Sequence, residues 1–495
     1  MGEWQEPKYG KRIYLVSDNT RMDGFEKYFQ EGVLDKLFVS YSDSRVNLGI
    51  HYYHNCLYTS NLVGIARLKT TDGSDIYDDE GNELLIKVVP RFNVKVHELL
   101  NYIRDDDEFD RYMAPQTISN RRKDKDIEAI DRNEIFYFFK NEKTIKIEDG
   151  ISSDNSIITV TVFLTLLNQL CKRPLIGKML KKEENFTGKV KGRIVIEKNI
   201  QSNTMHGRND RFLCCYLRFT DNVIENQILK AALIKAKRFI LEFFKDYCKD
   251  NNNYTSMISY CSNALRHISD VKCCGSDCIG LKFTGCYAYY KPVIAMAKMI
   301  IDDISIESNG KVNTTGYIIP YAISMDKLFE VYVRAYLKKN GIQSYKCKDE
   351  SGIRLEKFDD KTDVFVDEED LLNPGKYISG SIKPDIILTN QRTGEKVVID
   401  VKYKDYTNGD SRNDRLQLLA YSMMLNADNV GIIMPTQAEV KIFDARRINS
   451  LEHRMIKYHQ MLLGIMNDNS IVADYIKDKV FDKNSSSEDG LTFSR

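Results

Sequence analysis

Short apolar runs separated by turn-forming residues dominate the chain up to about residue 95. Leu62–Leu68 and Glu83–Val89 are two such runs, and the turn signals Asp72-Gly73 and Asp78–Gly81 lie between them. Runs of this length with Gly and Asp between them are typical of β-hairpins. The pattern therefore predicts a β-rich N-terminal region that contains a long hairpin.

Helical spacing replaces this pattern further along the chain. Residues 157–181 fit a helix, and residues 188–199 fit a pair of strands. From Asn222 to Tyr247 the apolar residues recur at the period of a long amphipathic helix. A second helix is predicted from Tyr287 to Asp303, after a loop that contains cysteines. We therefore expect a mainly helical middle region.

Helices and strands alternate in the last third of the chain. Ser324 is a typical N-cap for a helix that runs to about Asn340, and Gly341 follows as a stop signal. Strands, a helix, further strands and a final helix follow in that order, which predicts an α/β domain. The tail from Lys483 combines serines with acidic residues and is expected to be disordered.

A chain of 495 residues is too long for one ordinary core, so several domains are expected. The predicted fold class is multidomain α+β. The predicted domains are a β-rich N-terminal domain with a charged insertion (1–180), a mainly helical domain (181–315), an α/β domain (316–480) and a disordered tail (481–495).

The charge and apolar content narrow the class of protein. Lys and Arg number 72 against 71 Asp and Glu, a formal charge of +1, whereas a non-specific nucleic-acid coat is far more basic. No stretch approaches the ~20 apolar residues that cross a bilayer, and no apolar export signal precedes Tyr14. We expect a soluble, intracellular protein whose 11 cysteines are reduced.

The stretch from Ser381 to Lys404 carries the most specific signal. Two β-type runs lie on either side of a polar turn at Gln391–Gly394. If the turn is centred between residues 392 and 393, the register places Asp385 opposite Asp400. Lys402 then lies two positions further along the same face, because side chains alternate along a strand.

Facing carboxylates repel each other unless a cation lies between them. Mg²⁺, or Mn²⁺ in its place, takes oxygen ligands and leaves positions for water and a phosphate oxygen, with the carbonyl of Val401 as a further ligand. Lys402 can then orient the attacking water. The alternative is a hairpin whose charges are merely solvated. Against that alternative, Asp400 interrupts the apolar run Val397–Val401, a costly place for an acid without a function.

Three residues outside the hairpin are expected to join the site. Gln417 and Tyr421 are four residues apart and share one face of a predicted helix. Glu330, on the helix before the hairpin, can add a carboxylate as a metal ligand. The alternatives are an ordinary helix surface for Gln417 and Tyr421, and an ion pair between Glu330 and Arg334.

These residues together resemble the PD-(D/E)XK nuclease superfamily. Pro384-Asp385 followed by Asp400-Val-Lys402 matches its two-part motif, and Gln417-x-x-x-Tyr421 is similar to the extra motif of its RecB-like branch. The wider chain, from about residue 60 to 465, resembles McrC, the nuclease subunit of McrBC-type restriction systems. The segments that carry this likeness are Leu62–Ile65, Ile86–Phe92, Gly192–Ile200, Glu225–Leu233, Met325–Glu330 and Asp400–Lys404.

The resemblance implies a Mg²⁺-dependent endonuclease with a restriction-endonuclease-like C-terminal domain. It implies that a McrB-like AAA+ GTPase hexamer is the partner, that this partner binds GTP, and that the N-terminal domain docks onto the partner and stimulates its GTPase. It also implies that the substrate is double-stranded, modified DNA and that the complex acts in anti-phage defence in the prokaryotic cytoplasm. The chain itself has no G-x-x-x-x-G-K-[ST] phosphate loop, which agrees with GTP bound by the partner. Residues 100–150 and 345–378 fall outside the resemblance.

Two other functions stay open on the sequence. One is a stand-alone RecB-like repair nuclease, which would cut DNA without GTP or a partner. The other is a non-catalytic subunit that assembles with the GTPase and activates it. The complete set of Asp385, Asp400 and Lys402 argues against the second, since a site free of selection tends to lose such residues.

Two further groups of residues are weaker candidates. Cys273, Cys274, Cys278 and Cys286 offer four thiols, but their spacing differs from that of zinc knuckles, so reduced cysteines in a loop are the preferred interpretation. Arg211, Arg218 and the segment Lys189–Arg193 are candidates for contacts with the DNA backbone.

Overall fold

The computed structural model is a mixed α/β protein. It describes residues 2–39, 46–92, 94–103, 116–119, 135–140, 145–146, 149–243, 253–306, 312–314, 317–318, 320–343, 352–355, 362–363, 381–382, 384–405, 412–437, 441–449, 455–465 and 470–481. The tail beyond residue 481 and most of residues 104–134 and 345–378 lie outside the described residues, and so do the expectations for them.

Strands dominate the N-terminal part, as the short apolar runs predict. Its strands are β1 (Glu3–Trp4), β2 (Lys11–Ser17), β3 (His51–Tyr53), β4 (Cys56–Tyr58), β5 (Leu62–Arg67), β6 (Glu83–Val89), β7 (Gln116–Ser119) and β8 (Phe136–Lys140), with helix α1 at Val96–Ile103. The predicted hairpin is confirmed, because β5 pairs with β6 in antiparallel register, Gly64 opposite Val88.

The middle of the chain combines helices with short strands. Its elements are β9 (Ile145–Lys146), α2 (Asp149–Cys171), β10 (Lys178–Thr187), β11 (Arg193–Ile194), α3 (Ile196–Ser202), β12 (Arg211–Thr220), α4 (Ile224–Phe243), α5 (Asn253–Ala264), α6 (Tyr290–Asp303), β13 (Ile304–Ile306), β14 (Val312–Thr314) and β15 (Tyr317–Ile318).

The last part contains the predicted alternation of helices and strands. Its elements are β16 (Tyr321–Ser324), α7 (Met325–Lys339), β17 (Ile353–Leu355), β18 (Thr362–Asp363), β19 (Ser381–Ile382), β20 (Ile386–Asn390), β21 (Lys396–Val401), α8 (Arg412–Leu425), β22 (Asn429–Thr436), β23 (Lys441–Asn449), β24 (Met455–Gly464) and α9 (Ile471–Tyr475), followed by a π-helical turn at Ile476–Val480. Short 3₁₀ segments lie at Phe25–Tyr28, Leu34–Lys36, Val46–Gly49, Thr204–His206, Gly275–Cys278 and Gly285–Tyr287.

Two larger sheets organise the described strands of the first and last parts. One has the order β1-β2-β6-β5-β16-β8-β7, and the other has the order β17-β20-β21-β22-β24-β23. In the second sheet β21, β22 and β24 run parallel, while β20 and β21 form the antiparallel hairpin. The hairpin therefore lies inside the sheet, with a parallel neighbour on its far side.

The chain divides into two compact units. The first comprises Met1–Tyr112, Gln116–Lys140 and Tyr321–Arg495, and the second comprises Met113–Pro115 and Asn141–Pro320. This division differs from the predicted boundaries at residues 180 and 315, because β16 pairs with β5 and β8 and so returns the chain to the N-terminal sheet. Helix α7 starts directly after β16, which joins that sheet to the C-terminal elements in one unit.

Local predictions in the middle region had mixed outcomes. The long helix is confirmed as α4, and the second helix is confirmed as α6. Helix α2 ends at Cys171 and a strand begins at Lys178, so the helix predicted over 157–181 is correct only in its first part. The strand pair predicted over 188–199 is wrong: only Arg193–Ile194 is a strand, and α3 follows it.

Helix boundaries in the first unit follow local signals. Ser324 is the N-cap residue of α7 as predicted, although its hydroxyl makes no capping hydrogen bond. Gly341 follows the helix with a φ of +92°, a left-handed conformation that glycine adopts without strain. None of the helices in the described part of the chain is long and apolar enough to cross a membrane.

Candidate functional site

The hairpin of β20 and β21 has the register that the sequence predicts. Ile386 lies opposite Ile399, and the pairing continues to Thr389 opposite Lys396. In the same register, the next residues outward are Asp385 and Asp400. The two aspartates therefore belong to opposite positions of neighbouring strands, at the end of the hairpin away from its turn.

The turn of this hairpin explains why the register is fixed. The side chain of Asn390 accepts hydrogen bonds from the main-chain amides of Arg392 and Thr393 at 3.0 and 3.3 Å. Gly394 has a φ of +70° and donates its amide to the Asn390 carbonyl at 2.8 Å. A side-chain-stabilised turn of set length holds the two strands in one alignment.

Asp385 and Asp400 differ in their surroundings. One oxygen of Asp385 accepts a hydrogen bond from the Val401 amide at 2.8 Å. Asp400 is only 1% exposed, and its Oδ2 lies 2.9 Å from the ammonium of Lys402. No donor in the described part of the chain makes a well-aligned hydrogen bond to that oxygen. Burial and repulsion from Asp400 raise the pKa of Asp385, although the Val401 amide and two lysines oppose this shift.

Lys402 follows β21 directly and is held by the parallel neighbour strand. Its main-chain amide donates to the Ile433 carbonyl at 2.9 Å. Burial alone would lower the pKa of Lys402, but the charges of Asp400 and Asp385 outweigh burial and raise it. The ammonium is therefore a fixed positive charge beside two carboxylates.

Helix α7 brings Glu330 and two cations to the back of the hairpin. Glu330 is buried, with Lys327 Nζ at 2.6 Å from one oxygen and Arg334 Nη2 at 3.6 Å from the other. Arg334 donates from Nε to the main-chain carbonyl of Asp385 at 3.1 Å. Glu330 thus reaches the hairpin through Arg334, and both of its oxygens face cations. The ion pair with Arg334 is the alternative considered on the sequence.

Helix α8 places Gln417 and Tyr421 together. Gln417 donates from Nε2 to the Tyr421 hydroxyl at 2.6 Å, as their spacing predicts. Tyr421 packs in the buried cluster that includes Val398 and Ile432 of the sheet. Burial and the charges of Asp400 and Asp385 raise the pKa of Tyr421, while the hydrogen bond from Gln417 opposes this shift.

The donor atoms around the hairpin fit a hard cation. Asp385 and Asp400 offer carboxylate oxygens, and a buried oxygen of Asp400 has an ion-pair partner but no aligned donor. Within the described ranges no three His, Cys, Asp or Glu side chains group to hold a metal. A cation here would draw on the two carboxylates and on main-chain or water oxygens.

Residues of the N-terminal sheet also reach this region, which the sequence did not indicate. Arg91 donates from its guanidinium to the main-chain carbonyl of Tyr403, and its amide donates to Asp18 at 2.6 Å. The guanidinium lies 3.6 Å from the second oxygen of Asp18, a fully buried residue. Because β2 and β6 are parallel neighbours, the residues after them meet at one edge.

Asp326 is a second residue that the sequence analysis missed. It lies in the first turn of α7 and accepts a hydrogen bond from Asn61. Its side chain is exposed to solvent. An acid directly after an N-cap serine is the local signal that marks the position.

The cysteine cluster lies in the second unit. Cys273 is buried, Cys274 and Cys286 are exposed, and Cys278 is intermediate. Burial raises the pKa of the Cys278 thiol to about 11, which opposes formation of the thiolate that a metal binds.

A protein-family model matches most of the chain. The model describes the McrBC 5-methylcytosine restriction system component, and it matches residues 58–435. That span includes the hairpin aspartates and Lys402, as well as the candidate residues on α7 and α8. No curated protein sequence matches the chain.

Two of the solved structures to which the chain is similar come from Thermococcus gammatolerans. One is a half-complex from a tetradecameric assembly of McrB AAA+ hexamers with bound McrC, with a TM-score of 0.38 and 13% identity over 91% of this chain and 94% of that chain. The other is the cryo-EM structure of the McrBC complex, with a TM-score of 0.29 and 15% identity over 66% of this chain and 87% of that chain.

Proposed function

Since this chain belongs to the family of McrBC 5-methylcytosine restriction system components, we propose that it is the endonuclease subunit of a GTP-dependent restriction complex. Its substrate is double-stranded DNA, and its reaction is hydrolysis of phosphodiester bonds with Mg²⁺. The C-terminal elements from α7 onwards form the PD-(D/E)XK nuclease domain of this proposal.

The proposal of nuclease activity rests on the arrangement of three side chains. Asp385 and Asp400 occupy opposite register positions, and Lys402 Nζ lies 2.9 Å from Asp400. A buried acid facing a second, partly buried acid beside a lysine is costly for the folded state unless the group performs a function. The pair can hold a divalent cation next to a phosphate, and the lysine supplies a charge that does not depend on the metal.

Asp385, Asp400 and the Val401 carbonyl would hold the Mg²⁺. When bound, this ion would polarise a phosphate oxygen and lower the pKa of water. Lys402 donates a hydrogen bond to the attacking water and orients it towards phosphorus. The water gives up a proton to solvent as its oxygen bonds to phosphorus, the bridging P–O bond breaks, and the leaving oxygen takes up a proton from solvent.

The remaining candidate residues hold this constellation in place. Arg334, itself paired with Glu330, fixes the Asp385 carbonyl from the side of α7. Gln417 holds the Tyr421 hydroxyl in place through their hydrogen bond. Groups that fix the orientation of reacting residues contribute to the rate without touching the substrate.

The partner that we propose is a McrB-like AAA+ GTPase hexamer, which binds the GTP. The assembly named for one similar structure and the family of this chain support this choice. The absence of a G-x-x-x-x-G-K-[ST] loop from the sequence agrees with it. DNA cleavage by this chain would then depend on GTP through the partner.

The test is Asp385→Asn in the complete complex, with DNA that carries 5-methylcytosine, GTP, Mg²⁺ and the partner. We expect cleavage to fall by about 10²-fold or more, with assembly and GTP hydrolysis unchanged. Asp428→Asn is the matched control, because Asp428 is an exposed aspartate in the same unit, and it should cut at the wild-type rate.

Three outcomes would overturn parts of the proposal. If Asp385→Asn cleaved DNA at the wild-type rate, the hairpin would not be the metal site. Cutting by the purified wild-type chain without GTP or partner would favour a stand-alone repair nuclease. GTPase activation by a wild-type chain that never cuts would leave a non-catalytic assembly subunit.

A further inference from the structure

Charge is distributed unevenly along the ribbon that β10 and β12 form in the second unit. The two strands pair over their whole length, from Lys178 opposite Thr220 to Thr187 opposite Arg211. The far end, which we call the basic tip, carries four exposed basic residues: Lys189, Lys191, Arg208 and Arg211. One exposed acid, Asp210, lies among them.

The ion pairs of the ribbon set the basic tip apart. Towards its middle and base, Lys178 pairs with Glu225 at 2.8 Å, and Lys198 pairs with Glu183 at 2.7 Å. Lys182 pairs with Glu184 at 3.1 Å. In the described part of the chain, none of the four tip cations has an acidic partner within ion-pair distance.

The loop that presents the two tip lysines has a specific conformation. Gly188 and Gly192 bound it with φ values of +68° and +77°. A Cβ on Gly192 would lie 2.6 Å from the Cys215 carbonyl oxygen, so the main chain packs too closely there for any other residue. The Gly188 amide donates to the Asp210 carbonyl at 2.7 Å and ties this loop to the start of β12.

The two tip lysines make cation–π contacts with aromatic rings of the ribbon. Lys191 Nζ lies 4.2 Å from the centre of the Tyr216 ring, and Lys189 Nζ lies 5.6 Å from that of Phe186. Such contacts restrict the lysine side chains while the ammonium groups stay exposed. The acid near Lys191, Glu184, is engaged by the Tyr216 hydroxyl at 2.6 Å and by Lys182.

We propose that the basic tip binds the phosphate backbone of duplex DNA, outside the nuclease site of the first unit. This inference rests on the proposed function, because it takes DNA as the substrate. Unpaired cations on a preformed loop are suited to phosphates, since contact with DNA releases counterions and costs no broken ion pair. The contact is independent of sequence, because it involves phosphates and no base edges.

A protein partner is the competing occupant of this surface. Val190 and Met205, at 52% and 75% exposure, lie at the same end of the ribbon and would suit a protein contact. The salt dependence of binding separates the two, because each phosphate contact contributes about 0.9 to the slope of log K against log salt. The four exposed cations of the basic tip, against one exposed acid, favour DNA over a protein partner as its ligand.

The experiment measures binding of an unmodified linear duplex to the full-length chain by fluorescence anisotropy, without divalent metal so that the duplex stays intact. The double variant Lys189→Ala/Lys191→Ala should lower the slope of log K against log salt by about 1.8. The ratio of wild-type to variant affinity for DNA should therefore shrink about tenfold between 50 and 200 mM salt. Arg208→Ala/Arg211→Ala should act similarly. Lys181→Ala is the matched control, an exposed lysine on the same strand away from the tip, and should keep the wild-type slope.

Two results would overturn the inference. Wild-type slopes in both double variants would show that the tip does not touch DNA. Loss of assembly with the GTPase at an unchanged DNA slope would assign the tip to a protein contact. The two proposals are tested by different measurements. Cleavage of DNA by Asp385→Asn would contradict the nuclease assignment, whereas the salt dependence of DNA binding tests only the basic tip.

Discussion

Arg91 donates a hydrogen bond to the main-chain carbonyl of Tyr403, the residue that follows Lys402. The Arg91 guanidinium also lies 4.9 Å from the centre of the Tyr403 ring and 3.6 Å from Asp18. The N-terminal sheet therefore fixes the segment that carries the lysine of the proposed site. Displacement of that segment would move the ammonium relative to Asp400.

We expect Arg91→Ala to lower the rate of DNA cleavage by the complex and to lower stability. Removal of one partner from a buried ion pair costs roughly 3 kcal/mol, because Asp18 is left without its cation. Burial raises the pKa of Asp18 to about 6, so the stability deficit should be smaller at pH 5, where Asp18 is protonated, than at pH 8. Denaturant unfolding of wild type and variant at pH 5 and pH 8 measures this difference. An equal loss in the free energy of unfolding at the two pH values would contradict the role of Asp18.

Lys402→Met should remove DNA cleavage almost completely while the chain stays folded. The methionine keeps most of the side-chain stem but leaves buried Asp400 without the ammonium at 2.9 Å. We expect a loss of about 10²-fold or more in cleavage rate under saturating Mg²⁺. The control is Lys396→Met at the start of β21, and both variants are compared by circular dichroism. If Lys396→Met lost as much activity, the effect would belong to the strand and not to the ammonium.

Glu330→Gln tests whether this acid binds the metal or positions its neighbours. Its oxygens face Lys327 and Arg334, so we expect a lower rate with no change in the Mg²⁺ concentration needed for half-maximal cleavage. A direct metal ligand would instead shift that concentration upwards. A Mg²⁺ titration of cleavage by wild-type and variant complexes decides between the two roles.

His459 should make the stability of the first unit depend on pH. The ring lies between the Tyr475 hydroxyl at 2.9 Å and the Asn429 carboxamide at 3.0 Å, and burial lowers its pKa from 6.5 to about 4. Between these values the unfolded chain binds the proton more readily, so this contribution to stability is complete above pH 6.5 and falls as the pH falls.

We expect His459 to remove about 2 kcal/mol of stability between pH 7.5 and pH 5. His459→Gln should flatten this part of the pH dependence, as measured by denaturant unfolding. His206→Gln serves as control, because His206 is exposed and should leave the pH dependence unchanged. A wild-type slope in His459→Gln would show that the ring does not stay neutral on folding.

The sequence by itself determined the local geometry of the proposed site. The polar turn with Asn390 and Gly394 sets the register of the hairpin, and that register places Asp385 opposite Asp400. Gln417 and Tyr421 meet because side chains four residues apart on a helix are neighbours. These relations depend on residues close together in the chain, so spacing was sufficient to predict them.

Only the tertiary structure decided which distant segments complete the site. Strand β16 lies between β5 and β8. This pairing joins the N-terminal sheet to α7, although the residues of the second unit separate the two in the sequence. Arg91 reaches Tyr403, and Asn61 reaches Asp326, through that long-range arrangement. A hydrophobic pattern indicates that a strand is buried but not which strand it pairs with, because backbone hydrogen bonds are the same for every partner.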